Sequence, residues 1–417
     1  MSHPFLTSPD AACCEAPDPS RRAVLVTGGA LFAWAFAPRF AHAAGGKDPR
    51  LVTIVLRGAL DGLSAVAPVG DPDYAALRAG IALSATGDNA ALPLNGFFAL
   101  HPAMPNFARL YKAGQASVIH ATATPYRSRS HFDGQDVLES GLPGVAPVDS
   151  GWMNRALAAL PKGERIGKLG GVGVGATTPL VIRGKAPVLG WAPQGLPKAE
   201  DDLAARVLDL YRQKDPALGD ALTRGLDAEM IATRNGGGQN RRGGGGAEAM
   251  RRAAEGAGRL MAANDGPRLA ALAFGGWDTH ANEGGATGQL AQLLGGLDGA
   301  LAALEETLGP VWKDTAVLVV TEFGRTARIN GTVGTDHGTA TCAFLAGGAV
   351  KGGRVIADWP GLKEAQLHEG RDLKPTTDLR AVLKGVLADH LGLSRAALGT
   401  SVFPESMAVE PMRGLIG

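Results

Sequence analysis

The sequence predicts an α/β fold, in which a doubly wound, mostly parallel sheet carries a helical insertion. Two observations predict it: apolar, β-branched runs of strand length recur along the chain, and patterns of helical period lie between them. None of the runs alternates strictly between apolar and polar residues, which is typical of strands covered on both faces. With 417 residues, the chain is long enough for a large buried core, in one large domain or in two.

Four apolar runs are predicted to be central strands. They cover residues 51–56, 116–120, 269–274 and 317–321. Each run leads into a group of charged or polar side chains. Because the carboxyl ends of parallel strands form the ligand crevice of an open α/β sheet, we expect these polar groups to lie close together.

Helical patterns separate these strands. The clearest cover residues 106–113, 290–308 and 377–390, and the last begins at Thr377, which we expect to be its N-cap. Between about 198 and 266, two helical stretches flank a glycine-rich, low-complexity segment. We interpret this region as a helical insertion on the sheet domain.

The first 43 residues or so are predicted to be a targeting segment. Arg21 and Arg22 precede the apolar run 23–37, and Ala43 ends a small-residue cleavage site, a pattern typical of a twin-arginine export signal. The alternative is an uncleaved membrane anchor, but about 15 apolar residues are fewer than the ~20 needed to span a bilayer. We therefore expect a periplasmic or secreted mature chain, residues 44–417, without a membrane span.

Charge and cysteine content exclude some classes of partner and cross-link. With 41 basic and 40 acidic residues, the chain offers no case for nucleic acid or an anionic membrane as the main partner. Of the three cysteines, two lie in the predicted signal, so the mature chain retains Cys342 alone and no intramolecular disulfide is expected. Cys342 lies in a strand-like run, 341–346, and is expected to be a buried small hydrophobic residue.

Carboxylates and imidazoles cluster near the predicted strand ends. This mixture of oxygen and nitrogen ligands suits a divalent ion such as zinc, manganese or calcium. Taken singly, each residue also has a structural explanation: Asp336 as a turn residue, Asp278 as a helix cap, His280 as a satisfied structural histidine. Their recurrence at successive strand ends favours a polar site formed by Asp61, His131, Asp278, His280, Glu322, Asp336 and His337.

Ser130 is the candidate nucleophile, because it would open a helix whose unpaired N–H groups stabilise an anion. The alternative is that Ser130 is an ordinary N-cap, in a capping-box-like pattern with Asp133. Arginines near the same strand ends are candidate anion-binding groups, or they pair with Glu322 or Asp136 instead; they are Arg127, Arg129 and Arg325.

Taken together, several motifs resemble the DUF1501 family of exported bacterial proteins. They are Arg57-Gly-x-x-Asp61-Gly, Tyr126-Arg-x-Arg-Ser130-His131-Phe, Gly275-Gly-Trp-Asp278-Thr-His280, Thr321-Glu322-Phe-Gly-Arg325-Thr and Gly334-x-Asp336-His337-Gly. The resemblance covers essentially all of the chain from about residue 51 onward. The family name records that no activity is established.

That family is similar to the alkaline phosphatase-like superfamily of phosphatases, sulfatases and phosphomutases, which implies an α/β sheet with one or two divalent metals at its strand ends. The resemblance makes Asp61 the first-strand metal ligand and places Ser130 in nucleophile order. It also implies that the metal ligands later in the sequence are Asp278, His280, Asp336 and His337. The chain departs from the pattern in two places. One residue, not three, separates Asp278 from His280, and no histidine within a recognisable motif follows His337.

The leading functional hypothesis is an exported, metal-dependent hydrolase of phosphate or sulfate esters, whether small molecules or polymers. Ser130 or a water would attack, and Arg127 or Arg325 would offset the developing charge. His131 and Glu322 are expected to support the metal ligands. The alternatives are a non-catalytic periplasmic binding or assembly protein on the same fold, and a purely structural ion-pair network. The sequence leaves the oligomeric state open.

Overall fold

The computed structural model describes residues 48–160, 170–175, 177–192 and 246–417. The predicted signal peptide, residues 1–43, lies outside these ranges, and so does most of the predicted insertion, residues 198–245. Within the described ranges, no helix is long and apolar enough to cross a membrane.

The strands fall into one large sheet and one small one. In chain order they are β1 (Arg50–Leu56), β2 (Val66–Ala67), β3 (Leu92–Pro93), β4 (Ala99–Leu100), β5 (Ala116–Ala123), β6 (Gly171–Val174), β7 (Val188–Trp191), β8 (Leu269–Phe274), β9 (Thr315–Thr321), β10 (Thr341–Ala346), β11 (Arg354–Ile356) and β12 (Thr377–Asp378). The large sheet has the order β11-β5-β10-β9-β1-β8-β6-β7, with β12 also paired to β5. The small sheet has the order β2-β4-β3.

The large sheet is mostly parallel. Strand β10 runs antiparallel to both of its neighbours, β5 and β9, and the other described pairings within this sheet are parallel. Helices lie between the strands in the chain. They are α1 (Gly62–Ala65), α2 (Tyr74–Leu77), α3 (Pro105–Lys112), α4 (His131–Ser140), α5 (Trp152–Ala159), α6 (Gly246–Ala262), α7 (Gln289–Leu308), α8 (Leu379–Leu391) and α9 (Arg395–Ala397). The predicted α/β class with a mostly parallel sheet is confirmed.

The core lies on both faces of the large sheet, because successive side chains of a strand point to opposite faces. In β1, Val52 and Ile54 belong to the apolar cluster formed with α3, α6 and α7. Their neighbours Leu51 and Val55 belong to the cluster formed with α5 and α8. This two-sided burial explains why the strand sequences are continuously apolar.

The start of helix α8 differs from the prediction. Thr377 was expected to be the N-cap, but Thr377 and Asp378 form the short strand β12, and the helix begins at Leu379. The cap is Asp378, whose carboxylate accepts a hydrogen bond from the backbone N–H of Arg380. A carboxylate satisfies an exposed helix N–H at least as well as a threonine hydroxyl, so the cap moves one residue along the chain.

Strand register brings the polar segments to one edge. Leu56, the last residue of β1, pairs with Phe274 of β8 on one side and with Thr321 of β9 on the other. The chain segments that follow these three strands therefore leave the sheet side by side. At Thr122, near the end of β5, the partner is Thr341, which begins β10 and lies at the same edge.

Candidate metal centre

Three histidine side chains meet at this edge of the sheet. His131, the first residue of α4, has its Nε2 atom 2.9 Å from Nε2 of His337. The Nε2 atom of His280, from the segment after β8, lies 3.0 Å from the same His337 atom. These residues are far apart in sequence, and the folded sheet brings the rings together. His131 follows β5, and His337 precedes β10, which runs antiparallel to β5.

Asp278 completes the cluster. Its Oδ1 atom lies 3.2 Å from Nε2 of His337 and 3.1 Å from Nε2 of His280. Its Oδ2 atom lies 3.4 Å from Nε2 of His131. Ligand atoms of His131, Asp278 and His337 all lie within 4.8 Å of one another. Neighbouring ligands of a tetrahedral ion bound at about 2.0–2.1 Å are separated by roughly 3.4 Å, so this spacing fits a metal such as zinc.

The outward-facing nitrogen of each ring has a hydrogen-bond acceptor. The acceptors are Glu322 Oε1 for His131 Nδ1 at 2.8 Å, the Arg129 carbonyl for His337 Nδ1 at 2.9 Å, and Asp336 Oδ1 for His280 Nδ1 at 3.2 Å. A neutral imidazole that donates from Nδ1 keeps its lone pair on Nε2. Lone pairs directed at one another repel unless a proton or a cation lies between them, so the donor set matches a metal centre with supporting acceptors.

Glu322 is the acceptor that fixes His131. It is fully buried after the end of β9, and its carboxylate accepts hydrogen bonds from four donors. They are the Gly58 N–H (2.8 Å), His131 Nδ1 (2.8 Å), Gln135 Nε2 (3.3 Å) and Thr321 Oγ1 (2.9 Å). Burial alone would raise the pKa of Glu322, but the hydrogen bonds, with that from His131 first, hold it below the ordinary value.

Close backbone approach explains the glycine after Arg57. Gly58 has φ +121, and a Cβ atom there would lie 2.6 Å from the backbone nitrogen of Asp278. A side chain at this position would therefore push apart the segments that follow β1 and β8. The Arg57-Gly58 pair of the motif thus keeps Asp278 close to the end of β1.

Arg325 holds the other side of Asp278. Its side chain is fully buried, and Nη1 donates to Asp278 Oδ1 at 2.5 Å while Nε donates to Thr335 Oγ1 at 3.1 Å. Nη2 donates to the Thr335 carbonyl. Burial would raise the pKa of Asp278, but the hydrogen bond and charge of Arg325 lower it. Asp278 therefore stays ionised and fixed in orientation.

The two neighbouring histidines have opposite pKa shifts. The hydrogen bond to Glu322 raises the pKa of His131, and burial together with the charge of His131 lowers the pKa of His337. In the metal-free site, a proton shared between the two rings therefore lies on His131 in preference to His337, and a metal bound by both rings would displace it. A neutral His337 is the form that binds a metal.

Comparison with known proteins identifies the family. The profile described as "Protein of unknown function (DUF1501)" matches residues 48–402, which is most of the chain. The chain belongs to the DUF1501 family. The resemblance predicted from the motifs is thereby confirmed. Among curated proteins, none matches this DUF1501 chain.

Two solved structures are distantly similar to this DUF1501 protein. Ps i-CgsB in complex with k-i-k-neocarrahexaose is 12% identical, with a TM-score of 0.37, covering 88% of this chain and 75% of that one. The phosphonate monoester hydrolase of Agrobacterium radiobacter is also 12% identical, with a TM-score of 0.33, covering 83% and 74%. Similarity at this level is too low to transfer a function.

The predicted ligand Asp61 lies elsewhere in the DUF1501 fold. Its side chain is 1% exposed and caps α1, accepting hydrogen bonds from the backbone N–H groups of Leu63 (3.0 Å) and Ser64 (3.2 Å). It also forms an ion pair with fully buried Arg78. Burial opposes ionisation of Asp61, but Arg78 lowers its pKa. No hydrogen bond within the described residues joins Asp61 to the histidine cluster.

Asp336 supports a histidine from outside the cluster. Its Oδ1 atom contacts His280 Nδ1 and also accepts from Asn330 Nδ2 at 3.0 Å. The Asn330 hydrogen bond, ahead of His280, lowers the pKa of Asp336 against a small effect of burial. Asn330 Nδ2 also donates to the backbone carbonyl of His280 at 2.9 Å. The sequence analysis missed Asn330, for which the only signal was the turn dipeptide Asn330-Gly331.

Ser130 lies at the N-terminus of α4, between Arg129 and His131. Its hydroxyl makes no cap hydrogen bond, and no other described residue is bonded to it. Ser130 occupies the N-cap position, but the capping box of the alternative interpretation is not formed, because the Asp133 carboxylate accepts from the Tyr126 hydroxyl at 3.2 Å. The hydroxyl of Ser130 is thus available to a ligand.

The predicted anion-binding arginines are engaged by the protein itself. Arg127 Nη1 donates to the Tyr126 carbonyl at 2.8 Å and to that of Thr124. Arg129 forms ion pairs with Glu369 and Asp372, and Arg325 with Asp278. The predicted alternative of pairing with Glu322 or Asp136 does not occur among the described ion pairs, although pairing with other carboxylates does.

Proposed function

We propose that this protein is an exported, metal-dependent hydrolase of phosphate or sulfate esters. The observation that carries the proposal is the convergence of three imidazole Nε2 atoms and one carboxylate, each held from behind by a hydrogen-bond partner. Such a set costs electrostatic repulsion in a protein that never binds a cation. The resemblance to the alkaline phosphatase-like superfamily supports the ester class.

We assign His131, Asp278 and His337 as the primary metal ligands, with His280 beside them. When bound, a divalent ion supplies Lewis-acid polarisation of an ester oxygen. Three protein ligands are typical of catalytic sites, which keep a position for substrate. Asp336 acts on His280 from outside, and Asp61 serves the buried ion pair with Arg78.

Ser130 is the candidate nucleophile in this proposal. Its hydroxyl is unpaired within the described residues and lies at the start of the ten-residue helix α4, next to ligand His131. Backbone N–H groups of the first helical turn are oriented to stabilise the negative charge of a phosphate or sulfate. Arg325 acts on the reaction through Asp278, because its fully buried side chain is held by Asp278 and Thr335.

Elemental analysis of the purified mature protein tests the proposal. The wild type is expected to hold stoichiometric zinc, manganese or calcium, and an Asp278→Ala/His337→Ala double variant is expected to lose it while remaining folded. His368→Ala is the matched control, because that partly buried histidine lies outside the cluster. Metal-free, folded wild-type protein prepared without chelators would instead favour a binding or assembly role.

Turnover separates the enzyme from a metal-binding protein without activity. The metal-loaded wild type is expected to hydrolyse 4-nitrophenyl phosphate or 4-nitrophenyl sulfate, and Ser130→Ala is expected to reduce the rate without changing metal content. Hydrolysis that survives in Ser130→Ala would point to water as the nucleophile. Absence of hydrolysis across a broad ester panel would contradict the proposed reaction.

A further inference from the structure

A cleft of about 540 Å³ adjoins the candidate metal centre. It is formed by three segments, 73–77, 326–336 and 362–371, and Asp336 is part of its wall. Because the Oδ1 atom of Asp336 lies 3.2 Å from Nδ1 of His280, the cleft and the centre share a boundary. The volume is within the roughly 300–1,000 Å³ typical of small-molecule sites.

Charges of both signs line this cleft. Arg328 and Lys363 supply positive charge, and Asp73 and Glu364 supply negative charge. None of these four side chains forms an ion pair within the part of the chain that the structure describes. They can therefore contact a ligand without first breaking an ion pair.

Arg371 connects the cleft to the centre. Its Nη2 atom donates to the backbone carbonyl of His337 at 2.7 Å, and its Nη1 lies 3.2 Å from Asp372 Oδ1. Its side chain is nevertheless 41% exposed, so part of the guanidinium fork remains open to the cleft. Unlike buried Arg325, it can contact an anion without leaving its protein partners.

The rest of the cleft lining combines the polar side chains of Thr326 and Asn330 with aliphatic ones. Ile329, Leu362 and Leu367 contribute to it, and none of its lining residues is aromatic. A ligand for this surface needs a carbon skeleton that packs on aliphatic groups, hydroxyls that donate to carboxylates, and acceptors for the cations. It does not need a flat aromatic ring. Saccharides have this combination.

We propose that the cleft binds the saccharide portion of a sulfated or phosphorylated sugar ester, and that Arg371 contacts the anionic ester group. This proposal rests on the proposed ester hydrolysis and names sugar esters as the class of substrate. Arg371, rather than Arg127 or Arg325, would then offset the negative charge of the ester group. The cleft recognises the carrier, and the histidine cluster faces the bond that is broken.

Direct binding tests the cleft independently of turnover. The probes are a sulfated disaccharide, a phosphorylated disaccharide and their unesterified parent, titrated into the Asp278→Ala variant, which leaves the cleft residues intact. We expect at least one esterified sugar to bind about tenfold or more tightly than its parent, and Arg371→Ala to remove that preference. Arg413→Ala, an exposed arginine outside the cleft, is expected to change nothing.

The second measurement is disaccharide binding to a variant whose cleft is filled by a tryptophan side chain. Ala76 is exposed and lines the cleft, whereas its neighbour Ala75 is exposed and does not. Ala76→Trp is expected to weaken disaccharide binding about tenfold or more, and Ala75→Trp to leave it unchanged. Ala75→Trp is also expected to leave hydrolysis of a small 4-nitrophenyl ester by metal-loaded protein unchanged.

The outcomes distinguish this inference from the proposed function. Hydrolysis of small aryl esters with no disaccharide binding, or equal binding by both tryptophan variants, would overturn the cleft assignment and leave the hydrolase intact. Disaccharide binding that Ala76→Trp weakens, in protein that hydrolyses no ester, would support the cleft and refute the hydrolase.

Discussion

Replacing Glu322 by glutamine tests whether His131 belongs to the metal centre. Glutamine has nearly the same shape, and its carbonyl oxygen can keep the position of Oε1, which receives the Gly58 N–H and His131 Nδ1 at 2.8 Å each. Its amide can donate to Thr321 Oγ1, now a donor to Glu322 Oε2 at 2.9 Å. The hydrogen-bond pattern therefore survives and the buried negative charge is lost.

The size of the effect follows from that lost charge. Removing the acceptor charge behind a metal-bound histidine costs about 10–100-fold in metal affinity, which corresponds to about 1.4–2.7 kcal/mol. The metal-free protein should also lose about 1–3 kcal/mol of unfolding free energy, because hydrogen bonds to a buried charged group are replaced by neutral ones. Glu322 is fully buried, so solvent does not screen the change.

The pH dependence of the stability of the metal-free protein tests the directions of the pKa shifts of Glu322 and His131. Glu322 has a lowered pKa, so its contribution is present above its ordinary value of 4.5 and disappears as pH falls through the lowered value. His131 has a raised pKa, so its contribution is present below its ordinary value of 6.5 and disappears as pH rises through the raised value. The stability difference between wild type and Glu322→Gln should therefore be largest between pH 4.5 and 6.5.

The assays are metal titration against a chelator and urea unfolding with and without metal. Glu306→Gln is the matched control, because Glu306 is exposed on helix α7 and forms no ion pair with a described residue. Unchanged metal affinity in Glu322→Gln, with a stability loss that is the same at every pH, would refute the assignment of His131 as a ligand supported by Glu322.

Three further predictions concern the ion pair, the nucleophile and export. Arg78→Met should lower the unfolding free energy by about 3–5 kcal/mol in urea titrations, since it leaves Asp61 buried without its partner; a loss below 1 kcal/mol, as for an exposed pair, would contradict this. Ser130→Ala should leave the melting temperature unchanged, because its hydroxyl makes no hydrogen bond with a described residue; a marked drop would indicate a structural cap instead. Replacing Arg21 and Arg22 by lysine should retain the precursor in the cytoplasm, as followed by fractionation, whereas normal export would exclude the twin-arginine route.

The four central strands and the polar residues that follow them were predictable from the sequence alone. The run 269–274 forms a strand with the same bounds, and the other three runs lie within longer strands. Continuous apolar, β-branched sequence is a local property of strands covered on both faces. The sheet rule then placed Asp278, His280 and His337 at one edge. The family followed from the motifs that lie at those strand ends.

The partners of individual side chains were not predictable. Asp61 follows the first strand, as the family pattern requires, yet Arg78 and the first turn of α1 take up its carboxylate. His131, expected to support the ligands, has its Nε2 atom in the cluster, and the expected ligand Asp336 supports His280 from outside. Each outcome depends on which competing donor or acceptor lies nearer after folding.

Local patterns alone predicted the α/β class, four central strands and the family of this protein, because the apolar residues of a strand and the motif at its end lie within one short stretch of sequence. Which polar groups meet depends on the folding of the whole chain: the Nε2 atoms of His131 and His337, 206 residues apart in sequence, lie 2.9 Å apart in space. Folding also formed the cleft beside Asp336, whose three segments share no sequence signal. Contacts of this kind depend on burial and on competition among partners, which no single stretch of sequence encodes.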